Sequence, residues 1–254
     1  MTTAHGTDGW TASVRQRLAL GRLLPLGEAA DGAWLAERAA RAELRRAAAG
    51  VPGTVLDAGL RIGPAGPGAH GEPVVTPPPS ALPPGPLRID GQFTAVASPG
   101  GSASGPPDGS ASGSPAAGES LPAVAERLRA ALSACAREVL GLTVTEVDLR
   151  VTGLLTRAPG ESADFTAPHG GRPVSPGDDV ERAVAAVPGV AYLTSALGSP
   201  VVTTPGHVRV ELATAAGHHP PAVAREVRAR LARSLPGAPT VAVLVTAVEA
   251  TPAP

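Results

Sequence analysis

The chain has 254 residues, among them 31 glycines, 29 prolines and a single cysteine, and its 22 acidic side chains nearly balance its 21 basic ones. Every basic side chain is arginine, and asparagine is absent as well, which excludes a Schiff-base lysine, a Walker-type lysine and an N-glycosylation acceptor. A formal net charge of −1 gives no overall electrostatic footprint for nucleic acid or anionic lipid.

The sequence predicts a cytoplasmic chain. Its first residues lack a basic region followed by an apolar one, so we expect no secretory signal. No run of about 18 apolar residues predicts a membrane-spanning helix, and a single cysteine cannot form an intrachain disulfide.

Glycine and proline concentrate in three stretches. Residues 63–86 favour extended polyproline conformation, and residues 98–120 are too poor in apolar side chains to order themselves. We expect both to be disordered insertions, and residues 158–177 to be a flexible interdomain linker.

The elements of the first half alternate between helix and strand. Trp10, Val14 and Leu18 share one side of a short N-terminal helix, which either docks on the protein or binds a membrane surface or partner helix. Residues 34–49 predict an amphipathic helix with Asp31 as its N-cap. Strand spacing follows at residues 56–62, and a second strand runs over residues 87–96.

The remaining elements include a strand of unusual composition. A long helix capped by Ser120 is predicted to end near Gly141, and a half-buried strand follows around residues 147–151. Residues 178–186 predict a helix whose first turn is supplied by Asp178 and Asp179. The last strand, 240–248, is apolar on both faces, which fits a central position, a contact with the other repeat or a contact with another subunit.

The same order of elements occurs twice, which predicts an internal duplication. Residues 51–53 match 187–189, 87–90 match 208–211, 122–132 match 221–231, and 147–154 match 241–248. The expected fold class is α+β: two tandem small two-layer sandwiches, each with the order helix, short strand, longer strand, helix, strand. The predicted divisions are an N-terminal helix and connector at 1–30, repeat one at 31–157 with its two insertions, the linker at 158–177, and repeat two at 178–251.

The second repeat resembles the alkaline shock family of envelope-stress proteins. The features that carry this resemblance are the Val-Pro-Gly-Val turn at 187–190, the hydrophobic strand at 208–213, the Pro-x-Val-Ala helix at 221–227 and the closing strand at 241–245. The resemblance implies a cytoplasmic protein without catalytic residues, and the residues themselves lead us to expect no metal and no cofactor. It also implies assembly with itself or with a membrane-anchored protein on the inner face of the envelope, in a stress response.

Few residues offer chemistry. His218 and His219 are the best metal candidates, with His169 or His207 as a third ligand, but a solvated histidine pair is the favoured interpretation. Cys135 lies on an apolar helix stripe, which favours a buried thiol over a reactive one. The glycines at 63–71 space loosely like a phosphate loop, but prolines follow where a helix should start. The GSASG stretches at 101–105 and 109–113 place alanine where a nucleophilic serine would stand.

Two functional hypotheses of different class follow. In the first, the chain is a non-catalytic interaction protein that self-associates or is recruited by a membrane-anchored partner, with strand 240–248 as the suggestive feature. The second is a small-ligand-binding regulatory module. Nucleic-acid binding is not expected, although Arg225, Arg228, Arg230 and Arg233 cluster on one helix, because aromatic side chains for stacking are few.

Overall fold

A computed structural model describes residues 20–66, 71–96, 120–155 and 172–250. These residues form an α+β protein with two sheets and four α-helices, which confirms the expected fold class. The sequence features expected within 1–19, 97–119 and 156–171 lie outside the described residues. They include the N-terminal helix, most of the second insertion and most of the linker.

The smaller sheet is built around one long strand. That strand, β5, pairs in parallel with β6 along one edge and antiparallel with β3 and β4 along the other. Alternate side chains of β5 are buried, from Leu87 to Ala95, which is the pattern of a strand with one face on a core. The strands are β3 (Thr54–Leu56), β4 (Arg61–Pro64), β5 (Leu87–Val96) and β6 (Val144–Leu155).

The larger sheet has seven strands, in the order β1, β2, β11, β10, β8, β7, with β9 beside the first half of β10. Strand β11 pairs in parallel with β10 on one side and with β2 on the other. The strands are β1 (Leu23–Pro25), β2 (Ala33–Ala36), β7 (Pro173–Val174), β8 (Val190–Thr194), β9 (Val201–Thr204), β10 (His207–Thr214) and β11 (Thr240–Val248).

Each sheet carries two helices. Helices α1 and α2 pack on the smaller sheet, and α3 and α4 on the larger, while α1 also contacts β11 and so joins the two cores. Ser120 caps α2 as predicted and accepts a hydrogen bond from the Ala123 amide. Asp178, expected in the first turn of α3, is its N-cap and accepts from the Glu181 amide. The helices are α1 (Glu37–Ala49), α2 (Leu121–Ala134, continued by the π-turn Cys135–Val139), α3 (Asp179–Ala185) and α4 (Pro220–Ser234).

The two units share their topology. In each, a helix is followed by two short strands that pair with the same edge of a long strand, and a second helix leads to a parallel strand on the opposite edge. Both Val-Pro-Gly turns place their glycine in the left-handed region, with φ of 79° at Gly53 and 89° at Gly189. The shared pattern favours the duplication, which itself stays a prediction.

Strand register corrects the alignment of the two units. Ile89 faces Val147 in the smaller sheet, as Val208 faces Val241 in the larger. If Val147 corresponds to Val241, Val208 corresponds to Ile89. The sequence match pairs Val208 with Leu87, two residues earlier. In this alignment both parallel ladders have a bulge at the same place. The extra residue is Thr152 in β6 and Thr246 in β11.

The bulged threonines make matching hydrogen bonds. The Thr152 hydroxyl donates to the Phe93 carbonyl at 3.2 Å, and the Thr246 hydroxyl donates to the Leu212 carbonyl at 3.3 Å. Each also meets a side chain at the end of the first short strand, Asp57 at 2.7 Å in one unit and Thr194 at 2.8 Å in the other. The second pair is fully buried, whereas the first is exposed.

This difference predicts unequal costs for the same substitution. Thr246→Val leaves the Thr194 hydroxyl without a side-chain partner in the core and is expected to cost about 1–3 kcal/mol. Thr152→Val is expected to cost less than about 0.5 kcal/mol, because water replaces the lost contact. Urea denaturation measures both, and the double variant Thr194→Val, Thr246→Val should recover stability, since it removes both polar partners. Equal costs at the two positions would contradict this account.

The start of the first helix was predicted wrongly. Residues 33–36 form strand β2, and α1 begins only at Glu37 with Ala36 as its N-cap. Asp31 caps nothing in α1: it belongs to the 3-10 turn Ala29–Asp31 and accepts the Glu28 amide at 2.8 Å. Strand pairing with β11, distant in sequence, overrides the local helical pattern.

Two further expectations for repeat one differ from the structure. The strand spacing at 56–62 resolves into β3 and β4, joined by a turn, so each unit has three strands between its helices. The described part of insertion 63–86 is not disordered. Its residues 80–82 extend the larger sheet, because the Leu23 amide donates to the Ser80 carbonyl at 3.1 Å and the Leu82 amide donates to the Leu23 carbonyl at 2.8 Å.

Strand β11 takes the central position that its composition allowed. Its residues from Val241 to Thr246 are buried between β10 and β2, with α4 and α1 packed against it. Strand 240–248 therefore contacts the other repeat within the same chain, and its middle residues are not exposed for self-association.

Candidate protein-interaction edge

The outer edge of β6 is the longest open strand edge in the described residues. Strand β6 has twelve residues, and β5 pairs with one of its edges over nearly the whole length. No strand of the described ranges pairs with the other edge. An open row of backbone N–H and C=O groups is a template for pairing with another chain.

The other sheet edges are short or covered. Residues 80–82 lie along β1, and β7 has two residues, one of them Pro173. Strands β3, β4 and β9 have at most four residues each. Shortness, proline and cover by another segment are usual ways in which natural sheets protect an edge. Strand β6 is long and has no described strand beside it, although it carries a bulge at Thr152 and Arg129 of α2 donates to its Val147 carbonyl at 3.1 Å.

The two faces of β6 differ in chemistry. Val147 and Leu149 are half-buried toward the helices, whereas Glu146, Asp148 and Arg150 point to the opposite face. Apolar side chains become more exposed toward the end of the strand, with exposed fractions of 39% at Val151 and 61% at Leu154. The edge therefore combines charge on one face with apolar surface on the other.

A small ion-pair cluster orders the charged face. Arg88 of β5 lies 2.7 Å from Asp90 and 3.5 Å from Asp148. The neighbouring Asp90 carboxylate, as a hydrogen-bond partner and a charge, raises the pKa of Arg88 further. Arg150, one position further along the same face, has no ion pair with any described residue.

The metal candidates do not converge. His218 Nδ1 lies 3.2 Å from the Ala216 carbonyl oxygen, and His219 Nε2 lies 3.3 Å from that of Arg137 in the other unit. His207 Nδ1 lies 2.9 Å from the Thr240 hydroxyl. Within the described ranges no three His, Cys, Asp or Glu side chains are arranged to hold a metal ion, and His169 lies outside them.

Two of the four arginines of α4 contact the turn Ala29–Asp31, which lies between β1 and β2 of the larger sheet. Arg225 Nε lies 3.0 Å from Asp31 Oδ1, and Arg228 donates to the Ala30 carbonyl at 2.7 Å. Arg233 lies 3.4 Å from Glu226 on the same helix. The first two contacts hold the turn against α4.

Cys135 is buried in the core between α1 and the π-turn, as its sequence position predicted. Burial, followed by the charge of Glu43, raises the pKa of its thiol to about 12. The thiol is therefore protonated in the native protein at physiological pH, and the thiolate is the reactive form.

Labelling of the native thiol is expected to be slow for this reason. With Ellman's reagent at pH 8, the folded protein should react only at the rate at which the core opens. The urea-unfolded chain should react at once and is its own control, because the chain has one cysteine. Equal rates in the two states would show that Cys135 is accessible.

A shallow groove lies on the larger sheet, between residues 76–79 and strands β9 and β10. Residues 76–79 run over β9 and β10 and enclose a cavity volume of about 170 Å³. Its polar lining includes His207 and Arg209, and Arg209 lies 3.0 Å from the buried carboxylate of Glu211. Burial, followed by the charge of Arg209, lowers the pKa of His207.

Comparison with known proteins finds no match: no family model, no curated protein and no solved structure is similar to this chain. In the part of the chain that the structure describes, no helix is both long and apolar enough to cross a membrane. Sequence reasoning missed the edge of β6. It identified the alternation at 147–151 but not the twelve-residue length of the strand, nor that no described strand pairs with its outer edge.

Proposed function

We propose that this chain is a non-catalytic interaction protein that works through the outer edge of β6. It acts by self-association or by recruitment to a membrane-anchored protein, in the manner of the alkaline shock proteins that the second repeat resembles. The observation that carries the proposal is the twelve-residue open edge, in a protein whose other described edges are short or covered.

The elements behind the family resemblance support the proposal. The Val-Pro-Gly-Val turn precedes β8, the Pro-x-Val-Ala pattern lies in the first turns of α4, and the closing strand is β11. The resemblance places such a protein in the cytoplasm at the inner face of the envelope, and the proposal includes that location and a stress-response role.

Cell fractionation with a matched pair of variants tests the proposal. Wild-type protein is expected to sediment partly with envelope membranes and to be released by alkaline carbonate, which strips peripheral proteins. Arg150→Asp, on the edge of β6, should reduce the membrane fraction, and Arg230→Asp, at an exposed position of α4, should not. A wild-type protein that is monomeric at every concentration and never sediments with membranes would overturn the proposal.

The alternative function, a small-ligand regulatory module, is favoured by the groove under residues 76–79. A cation at Arg209 beside an apolar proline wall suits a small carboxylate or phosphate. A thermal-shift screen with acetate, pyruvate and inorganic phosphate tests it, with Val202→Phe as the variant that fills the groove. A ligand-dependent stabilisation that Val202→Phe abolishes would support this alternative, and a screen without any shift would remove it.

A further inference from the structure

We propose that the occupant of the open edge is β6 of a second copy of this chain, paired antiparallel about a two-fold axis at Leu149. The inference rests on the proposed function and names the partner and the register. The two smaller sheets would then join into one continuous sheet with a pair of helices from each copy packed on it.

In the larger sheet the corresponding edge of β11 is occupied by a strand, which pairs with it in parallel. Residues Val243 to Val245 of β11 pair with residues Ala33 to Leu35 of β2. By the register of the two parallel ladders, the corresponding residues of β6 are Leu149 to Val151. The outer edge of β11 in the larger sheet is therefore occupied by β2, whereas the outer edge of β6 in the smaller sheet has no neighbour among the described strands.

Charge complementarity selects the second copy and fixes the register. With Leu149 opposite itself, Asp148 of each copy faces Arg150 of the other, which gives two opposite-charge pairs across the axis. Asp148 has a side chain that is 65% exposed, and Arg150 is exposed without an ion pair among the described residues. The edge is therefore complementary to itself, as a two-fold interface must be.

Neighbouring registers are worse. An axis at Asp148 places two aspartates opposite each other, and an axis at Arg150 places two arginines opposite each other, and like charges directly opposite are destabilising. An axis at Val147 brings Glu146 opposite Asp148 twice. Of these four axes, only the one at Leu149 places each charged residue near the centre opposite a residue of the other sign.

The apolar face agrees with the same register. Val147 of each copy faces Val151 of the other, and the two Leu149 side chains meet at the axis. These residues lie on the helix-facing side of the sheet, where Val147 and Leu149 are half-buried and Val151 is 39% exposed. Pairing covers this apolar strip and gives partners to the free backbone groups of the edge, whereas the Val147 carbonyl already accepts from Arg129 Nε at 3.1 Å and would share its second lone pair.

Sedimentation equilibrium over a range of concentrations tests the inference. Arg150→Asp turns both charge pairs into repulsions and is expected to raise the dimer Kd about tenfold or more. The double variant Asp148→Arg, Arg150→Asp reverses both signs and should restore the Kd to within about threefold of wild type. Arg230→Asp makes the same charge change at an exposed position of α4, away from β6, and should leave the Kd unchanged. Far-UV circular dichroism checks that each variant folds.

Two results would overturn the inference, and they affect the proposed function differently. A dimer whose Kd is the same in wild type and Arg150→Asp rejects pairing at β6 but leaves self-association standing. A wild type that is monomeric to about 100 µM rejects the second copy as the occupant and leaves only recruitment by a membrane-anchored partner, which the fractionation experiment tests by itself.

Discussion

Replacing Glu211 with alanine is expected to lower the free energy of unfolding by about 3–5 kcal/mol, because it removes one partner of a buried ion pair. The Glu211 side chain is fully buried in β10, and its Oε2 atom accepts the amides of Ala196 and Leu197 at 2.7 and 2.9 Å. Its other oxygen lies 3.0 Å from Arg209, whose side chain is 20% exposed. Alanine would leave two amides and one guanidinium without their acceptor.

Two comparison variants isolate the cause. Glu211→Gln keeps one oxygen for the two amides but places an NH2 group where the second oxygen faces Arg209, so we expect a smaller loss of about 1–2 kcal/mol. Glu226→Ala removes a 53% exposed carboxylate paired with Arg233 on α4 and should cost less than about 0.5 kcal/mol. Urea denaturation measures the free energy of unfolding of all three variants. A loss below about 1 kcal/mol for Glu211→Ala would contradict the account, because it would show that the loop at 195–200 does not need the Glu211 carboxylate.

The pH dependence of the same proteins gives a second measurement. Burial raises the pKa of Glu211 above its ordinary value of 4.5, against the opposing effects of the Leu197 amide and Arg209. The folded protein therefore holds this proton more tightly than the unfolded chain, and stability falls as the pH rises from 4.5 through the folded pKa. The stability of wild type relative to Glu211→Gln should decrease over that window and stay level above it, and a relative increase would give the wrong sign.

Replacing Trp34 with alanine is also expected to lower the free energy of unfolding by about 3–5 kcal/mol. Trp34 is 2% exposed and lies in β2, between Pro25 of β1 and Leu244 of β11. Strand β2 leads directly into α1, which packs on both the smaller sheet and β11. A cavity at Trp34 therefore weakens the element that joins the two units.

The comparison variant for this position is Trp34→Phe. The indole Nε1 atom is buried without a hydrogen-bond partner, so phenylalanine removes an unpaired polar group as well as some volume. We expect Trp34→Phe to cost less than half as much as Trp34→Ala, with one transition by circular dichroism in both. Two separate transitions in Trp34→Ala would show that the units unfold independently and that β2 does not couple them.

Periodicity predicted most elements of the fold. The strand at 87–96, the helices around 121–134 and 179–185 and the doubly apolar strand at 240–248 are recognisable because their burial patterns are local properties of the sequence. The errors occurred where distant pairing decides the structure. Residues 33–36 fit a helix pattern by themselves and become a strand only beside β11, and residues 80–82 become ordered only beside Leu23.

The candidate site was harder to predict than the fold. An open edge is a property of the whole sheet, because it depends on which strands fail to pair, and no residue type marks it. The charges at Asp148 and Arg150 were visible as the polar half of an alternating strand, which is also what any solvent-facing strand shows. Their complementarity across a two-fold axis becomes apparent only once β6 is seen to have no second neighbour among the described strands.

Hydrogen exchange of the β6 amides at increasing protein concentration tests the central claim most directly. Because β5 occupies one edge of β6, alternate amides between Val144 and Leu155 face the open edge and should exchange quickly in dilute protein. The account predicts that these amides become protected as the concentration rises, and that Arg150→Asp removes the effect. Association that leaves the exchange of these amides unchanged would contradict it, because the chain would then assemble through another surface.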